Sequence, residues 1–407
     1  MNKKVIKMSK KIVVLLIMLL VLGSFTVCYA AEESPVDENV ITLEQARKLA
    51  KENSRSLKKY DIDVDKAQYQ LYKAEQDSSN ASSDLNAKYR QYQALEDQYA
   101  ALLPGDPGLA EISAKMSALE EQMSSQYDKV ESSGDTVDDA EYDHDDSIEA
   151  EENYRKQLDY IVEELYTAIL NQENSLQALN SEYELNKQLL GMETRKLGLG
   201  GSSQLKVSQM ELDLVNLNKS ILEMENQIKS RKGQLNDIMG REYGIELKLA
   251  PFEVKIAEDI PAQEQLYSSA LQEYDAIKEI KREIDRNEDE VDDEDDYYTK
   301  QLLKIGIKEK ELQLEDEKVN LNKTIADLIA DTRTKLEEYK ISLKDFENAK
   351  KYYEWDKKRF EMGIISKMAL QESELNYVNL KNKKDSSGFS LYLAQSYLKL
   401  AGAGILN

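Results

Sequence analysis

Two stretches of the chain repeat each other and decide its architecture: RKLGLGGSSQLKVSQMELDLVNL at 195–217 and RFEMGIISKMALQESELNYVNL at 359–380. An ungapped alignment places Gly200 on Gly363, 163 positions later, and a serine follows three residues after each glycine. In both copies the glycine and serine lie between long segments with apolar residues at helical spacing, which is typical of a reversal between two helices. The sequence therefore predicts an internal duplication, with one helix–turn–helix in each half.

The segments around these turns carry a heptad pattern. Apolar residues recur at alternating steps of four and three over 158–190, and the pattern resumes after the first turn over 210–238. In the second half the same spacing runs over 325–360, within a predicted helix of 65 residues at 298–362. Such seams are typical of helices packed side by side. The predicted fold class is all-α, with long antiparallel coiled-coil helices.

Breaks in these patterns divide the chain. The predicted divisions are a signal peptide at 1–30, a linker at 31–40, a first helical repeat at 41–240, a connector at 241–262 and a second helical repeat at 263–407. At most one short strand is expected, near 245–256, where apolar and polar residues alternate before Pro251.

The first repeat opens with a clear start signal. Thr42 is the predicted N-cap, and Gln45 three residues later completes a capping box. The helix is expected to run to about Leu103, because prolines and glycines follow at 104–108. A weaker helix then leads into a predicted acidic loop at 131–152.

The N-terminal segment has the composition of an export signal. Five lysines occur by position 11, the apolar run 12–22 follows, and small residues precede Ala31. An uncleaved anchor is the alternative, because no charge occurs between Ile12 and Glu32, which is just long enough to span a membrane. Cys28 is the only cysteine and lies in this segment, so we expect no disulfide in the mature chain.

The charge balance limits the partners. The formal net charge is −24, and loss of the five signal-peptide lysines brings it to −29. A chain this acidic is not expected to bind nucleic acid or an anionic membrane. The 32% of charged residues and the five prolines fit long solvated helices.

Catalytic and cofactor-binding residues are not predicted, so the chain is not expected to be an enzyme. His144 is the only histidine, which excludes histidine-based triads and the usual zinc sites. Asp135–Glu152 contains ten carboxylates and no lysine or arginine. This run is interpreted as a solvated linker; calcium binding is the alternative, although the spacing of an EF-hand is missing.

Matched residues give a family resemblance. The opening Thr42-Leu43-Glu44-Gln45-Ala46, with Ala50 and Leu57 following, resembles the start of TolC-type outer-membrane efflux proteins, and both turn segments resemble the family's repeated signature. The resemblance implies a trimeric helical barrel with an internal duplication. It also implies that the turns dock a membrane-fusion adaptor, which bridges to an ABC-type or other export pump. The docking residues it implies are Leu199, Gly200, Gly201, Ser203, Met362, Gly363, Ile364 and Ser366.

One departure from the family changes the expected architecture. Where membrane strands should precede each turn, this chain has the acidic runs Asp135–Glu152 and Asp285–Asp296. A charge at mid-bilayer costs about 2–4 kcal/mol, so these runs are not expected to form lipid-facing strands. The prediction is a relative without a membrane β-barrel, as expected in a bacterium with a single membrane.

The predicted function is an efflux or secretion component that extends an adaptor–pump complex beyond the cytoplasmic membrane. Its expected location is the cell envelope, at the outer face of that membrane or in the cell wall, or the outer membrane if the family default holds. The alternative is an exported structural coiled-coil protein without a channel.

Overall fold

The computed structural model of the protein describes residues 40–256 and 260–406. The predicted signal peptide and most of the predicted linker lie outside these residues. The elements are β1 (Val40–Ile41), α1 (Leu43–Asn53), α2 (Arg55–Ala100), α3 (Gly108–Gly198), α4 (Gln204–Ile238), β2 (Lys248–Leu249), α5 (Gln263–Glu273), α6 (Asp275–Asp293), α7 (Tyr297–Glu361) and α8 (Lys367–Gly402).

The all-α fold with long antiparallel helices is confirmed. The predicted 65-residue helix is present as α7, shifted by one residue at each end. The predicted short strand is β2, which forms a two-stranded sheet with β1. Among the described residues, no helix combines the length and the apolar content needed to cross a bilayer.

The start of the first repeat is as predicted, but its helix is interrupted early. Thr42 and Gln45 form the reciprocal capping box. The expected single helix from Thr42 to Leu103 is wrong, because the chain leaves helical geometry at Ser54. The buried Ser54 side chain accepts a hydrogen bond from the Leu57 amide and starts α2 as a new helix.

The predicted acidic loop at 131–152 is also wrong. These residues belong to α3, which is continuous for 91 residues. Half-buried Val137, Ala140 and Ile148 continue the seam through the acidic run and pack toward α2. Bases on α6 reach the same run: Arg282 lies 3.2 Å from Glu149. The charges are therefore carried by a continuous helix, most of them exposed, and are partly compensated by bases of α6.

The second acidic run, 285–296, contains no strand either. It forms the end of α6 and a short turn, after which Asp296 caps α7 by accepting hydrogen bonds from the amides of Tyr298 and Thr299. Both acidic runs are thus helix or helix cap in the described residues.

The long helices pack in the lateral order α4, α3, α8, α7. Polar contacts mark each junction: Lys232 of α4 with Glu173 of α3 at 2.6 Å, Asn382 of α8 with the carbonyl of Asn174 of α3 at 2.8 Å, and Lys383 of α8 with Asp345 of α7 at 3.2 Å. Helix α2 packs along α3 and helix α6 along α7, so α4 and α7 are the outer members of the lateral order.

The main core lies where α1, α3, α4, α8 and the connector meet. Its fully buried members include Leu158, Tyr166 and Leu235. The Tyr166 hydroxyl lies 2.9 Å from the carbonyl oxygen of Ile41 and 2.6 Å from that of Ala250. Burial raises the pKa of this hydroxyl to about 12. Tyr166 thereby fixes both strands of the small sheet to α3.

Each half contains the same close contact between a glycine and the end of a short helix. Gly240 follows α4 at positive φ and lies against Asn53, at the end of α1; Gly404 follows α8 at positive φ and lies against Glu273, at the end of α5. Helices α1 and α5 each have 11 residues. The same close approach of glycine to a short helix therefore occurs once in each half.

Candidate functional site: the two helix–turn tips

The first tip, residues 197–203, is a tight reversal between α3 and α4. Gly200 has φ +75°, in the left-handed region that favours glycine. The amide of Gly201 donates to the Lys196 carbonyl at 2.8 Å, and that of Gly200 to the Leu197 carbonyl at 3.0 Å. These two bonds define a Schellman motif. The Ser203 hydroxyl then caps α4 by accepting from the Lys206 amide at 3.3 Å.

The second tip, residues 360–366, repeats this geometry between α7 and α8. Gly363 has φ +72°. The amide of Ile364 donates to the Arg359 carbonyl at 2.8 Å, and that of Gly363 to the Phe360 carbonyl at 2.9 Å. The Ser366 hydroxyl accepts from the Ala369 amide at 3.2 Å. The paired glycine and serine that the sequence aligned therefore have the same backbone role in both tips.

The tips present apolar side chains and open backbone. Leu199 is 87% exposed, Met362 65% and Ile364 60%. A Cβ at position 200 or 363 would meet no atom within 4 Å. Both glycines thus leave room for another molecule to approach the main chain closely. All eight residues assigned to the tips from the sequence are exposed.

Both tips lie on the same side of the junction between α3 and α8. Helix α3 runs from Asn174 toward Gly200, and antiparallel α8 runs from Gly363 toward Asn382, which donates to the Asn174 carbonyl. A groove of about 750 Å³ lies between these helices on the tip side of that bond. Its lining is mainly polar and includes Leu176, Asn180, Glu184, Gln371, Glu374 and Leu375.

A polar cluster that sequence reasoning missed braces the first tip. The carboxylate of Glu193, whose side chain is 9% exposed, contacts Lys206 at 2.8 Å and Lys196 at 3.1 Å. It also accepts a hydrogen bond from the Ser202 hydroxyl at 2.6 Å. The contacts with Lys206, Ser202 and Lys196 lower the pKa of Glu193 to about 2. The sequence signal for this cluster is Glu193, an acidic residue about one turn before Lys196 at the end of α3.

The second tip has no such cluster, because its corresponding positions differ. Asp356 takes the place of Glu193 and pairs only with Arg359, at 3.0 Å. Above this tip, exposed Tyr352 and Trp355 stack edge to face with ring centroids 5.7 Å apart. Trp355 is the only tryptophan of the chain. The two tips therefore share a backbone but differ in their side chains.

The described residues contain no group of three or more histidine, cysteine, aspartate or glutamate side chains that could hold a metal ion. The exposed turns are the features that distinguish the tip end of the molecule.

Comparison with known proteins identifies the fold. Neither a protein-family model nor a curated protein matches this sequence. One solved structure is that of CusC, a protein that folds and forms a transmembrane channel. It is 11% identical to this chain and aligns over 89% of this chain and 95% of that chain, with a TM-score of 0.52. The outer-membrane channel OprN is 11% identical over 89% of this chain and 90% of that chain, with a TM-score of 0.51.

A third structure, the outer membrane protein VceC of Vibrio cholerae, is 11% identical over 89% of this chain and 97% of that chain, with a TM-score of 0.48. The fold assignment rests on CusC and OprN. The chain has the fold of TolC-type outer-membrane channel proteins, as the resemblance in its sequence predicted, and these neighbours are channel proteins rather than enzymes.

Proposed function

We propose, from this shared fold, that the protein is an exported helical conduit of an efflux or secretion assembly at the outer face of the cytoplasmic membrane or in the cell wall. Several copies associate side by side, and the two tips of each copy dock a membrane-fusion adaptor that bridges to an export pump. The observation that carries this proposal is the pair of exposed glycine turns, alike in backbone and located at the same end of the helices.

Association of copies is supported by apolar stripes on both outer helices. Each stripe follows heptad-like steps and remains exposed in the single chain, although α7 packs on α6 and α8 and α4 packs on α3. The exposed stripe on α7 consists of Tyr298, Leu302, Ile305, Leu312 and Val319, and the one on α4 of Leu205, Leu212, Val215 and Leu222. Stripes of this size on a soluble helix indicate an interface.

Contact between α4 of one copy and α7 of the next is heterologous, because two different surfaces meet. The two stripes lie at different levels, since Leu205 is five residues after Gly200 and Val319 is 44 residues before Gly363, so each stripe meets a different part of the neighbouring copy. Repeated contacts of this kind close into a ring when the rotation between copies divides a full turn. A ring of these helices encloses a lumen, which is the physical requirement for a conduit. Three copies is the number that the resemblance to TolC-type proteins implies.

Adaptor docking at the tips is tested by filling the space above both glycines. Gly200→Leu with Gly363→Leu is expected to abolish binding of the purified adaptor while leaving helicity nearly unchanged, because the new side chains block close approach to the backbone. Binding is measured by pull-down and by the fluorescence of Trp355, which lies two turns above the second tip.

The matched control is Gly105→Leu. Gly105 also has positive φ (+96°), and no atom lies within 4 Å of the position that a Cβ would take, but it belongs to the turn between α2 and α3. The control introduces the same backbone strain elsewhere and should leave adaptor binding intact. If the double variant binds the adaptor with wild-type affinity, or if it unfolds while the control does not, the tips are structural turns and docking at them is refuted.

A further inference from the structure

The tips are the basic part of an acidic molecule. Residues 193–206 carry three bases and one acid, and residues 356–367 carry four bases and two acids. These two segments therefore hold a formal charge of +4, whereas the whole chain is at −24 and its remainder at −28. The tip end therefore attracts anionic groups, whereas the net charge of the whole chain predicts that they are repelled.

Three of these bases are available to a partner. Arg195, Lys358 and Lys367 are exposed and form no ion pair with any other described residue. The other four bases have partners: Lys196 and Lys206 are bound to Glu193, Arg359 is bound to Asp356, and Lys357 lies over the ring of Tyr353. Along the chain, the three available cations lie close to the exposed apolar residues: Arg195 is four residues before Leu199, Lys358 four before Met362, and Lys367 three after Ile364.

Helix electrostatics explain only part of this distribution. Bases in the last turn of a helix interact favourably with its negative end, which accounts for Arg195 on α3 and Lys358 on α7. Lys367 is the first residue of α8, where a positive charge faces the positive end of the helix and is unfavourable. Neither α4 nor α8 has an acidic residue in its first turn. The helix dipole therefore does not account for the charge at Lys367.

We propose that the adaptor element docking on the tips is acidic, with carboxylates arranged around an apolar centre. Its apolar centre packs on Leu199, Met362 and Ile364, and its carboxylates face Arg195, Lys358 and Lys367. This inference rests on the proposed function, since it takes adaptor docking at the tips as its premise.

A protein partner fits these features better than an anionic lipid surface. Open backbone at two glycines allows close packing of a partner helix, whereas a lipid surface gains nothing from it. A planar anionic membrane would also repel the −28 of the remaining chain wherever the two approach within a Debye length of about 8–10 Å.

The test compares two triple charge reversals in the full-length mature protein. The tip variant carries Arg195→Glu, Lys358→Glu and Lys367→Glu. The control variant carries Lys59→Glu, Lys129→Glu and Lys323→Glu, three exposed lysines away from the tips that likewise form no ion pair with a described residue. The change in net charge is identical. Kd for the purified adaptor is measured at about 50 mM and about 300 mM NaCl, a range over which exposed charge pairs are progressively screened.

The tip variant should bind at least about tenfold more weakly than the control at low salt, and wild-type Kd should rise with salt. A neutral variant, Arg195→Gln with Lys358→Gln and Lys367→Gln, avoids new repulsion at the helix end and should give an intermediate Kd. Equal Kd for the tip and control variants, with the wild type still binding, would overturn the acidic partner but leave tip docking in place.

Two further outcomes would also decide against the acidic partner. If the wild type does not bind the adaptor at all, the proposed function fails and takes this inference with it. Vesicles of about 30% phosphatidylglycerol in phosphatidylcholine are the second probe. Flotation of the wild type with these vesicles, lost in the tip variant while adaptor affinity is unchanged, would assign the basic end to a lipid surface.

Discussion

Glycine residues have opposite surroundings in the two kinds of turn in this chain. At Gly200 and Gly363 the space around the residue is empty, whereas a Cβ on Gly404 would overlap the backbone of Glu273 and one on Gly240 would overlap Asn53. All four have positive φ. The first two glycines therefore leave a surface open, and the last two allow helix ends to approach each other.

This difference predicts the stability of alanine variants. Gly105→Ala carries only the strain of the left-handed region, about 1–2 kcal/mol. Gly404→Ala and Gly240→Ala add an overlap with neighbouring main-chain or Cβ atoms, so each should cost several kcal/mol in total, by analogy with overpacking of a core. Urea unfolding followed by circular dichroism measures the three values. Equal costs at positions 105 and 404 would contradict the packing described for the ends of α5 and α8.

Glu193 predicts a pH dependence of the first tip. Its pKa is about 2 in the folded chain, against an ordinary value of 4.5. Because the folded-state pKa is depressed, the ionised side chain contributes stability above pH about 4.5, and that contribution is lost as the pH falls to about 2. Glu193→Gln should lower the stability of the α3–α4 turn at about pH 7 and have no effect below about pH 2.

Amide hydrogen exchange of Gly201 and Ser202 in the wild type and the Gln variant measures this difference. The second tip, which lacks the cluster, provides the internal control at Ile364. A protection difference that stays constant from about pH 7 to about pH 2 would contradict the role assigned to the ionised carboxylate.

At the scale of elements, an ion pair within the first half of the chain also makes a contact with the second half. Arg47 of α1 contacts Glu163 of α3 and the Tyr392 hydroxyl of α8, and Glu163 is only 3% exposed. Burial, with the charge of Glu163, raises the pKa of Tyr392 to about 12. Removal of one partner leaves a buried charge unpaired, which is more costly than removal of both.

Arg47→Met should therefore destabilise the chain by about 3 kcal/mol, whereas Arg47→Met combined with Glu163→Met should recover most of that loss. The coupling is measured with a double-mutant cycle of unfolding free energies. Additive effects of the two substitutions would show that the pair does not hold α1 against α3 and α8.

The sequence predicted long elements better than it predicted interruptions. The 65-residue helix and both tips follow from apolar spacing and from glycine and serine chemistry, which act locally. The break at Ser54 places a buried serine as the cap of α2, and apolar spacing alone does not show that the chain leaves helical geometry there. The acidic run 131–152 is helical because Val137, Ala140 and Ile148 continue the seam and bases of α6 contact the run. The contact with α6 was not predicted, because the two segments are more than 120 residues apart in the sequence.

The candidate site was predictable to the same extent. All eight residues that the family resemblance singled out lie at the two turns, and their role in docking stays a prediction. Glu193 was missed, because its role depends on two lysines and a serine brought together across the turn. Exposure of Tyr352 and Trp355 was also missed, since a helical pattern alone does not say which face lacks a neighbour.

At the scale of the whole molecule, the apolar stripe on α7 is a surface proposed to contact a neighbouring copy. Leu302→Glu with Leu312→Glu places two charges on side chains that are each 69% exposed in the single chain. The variant should keep its helicity and lose association between copies, because burial of an unpaired charge in an interface is unfavourable. The control is Leu103→Glu, which is 78% exposed at the turn after α2 and should leave association unchanged.

The central claim, that copies of this chain close into a conduit, is tested most directly by the solution mass of the mature protein. Sedimentation equilibrium at micromolar concentration is performed in about 150 mM salt, where the Debye length of about 8 Å screens repulsion between the acidic chains. The account predicts a mass three times that of the single chain, reduced to the single-chain value by Leu302→Glu with Leu312→Glu. A wild-type protein that stays at the single-chain mass, both alone and with its adaptor, would contradict it.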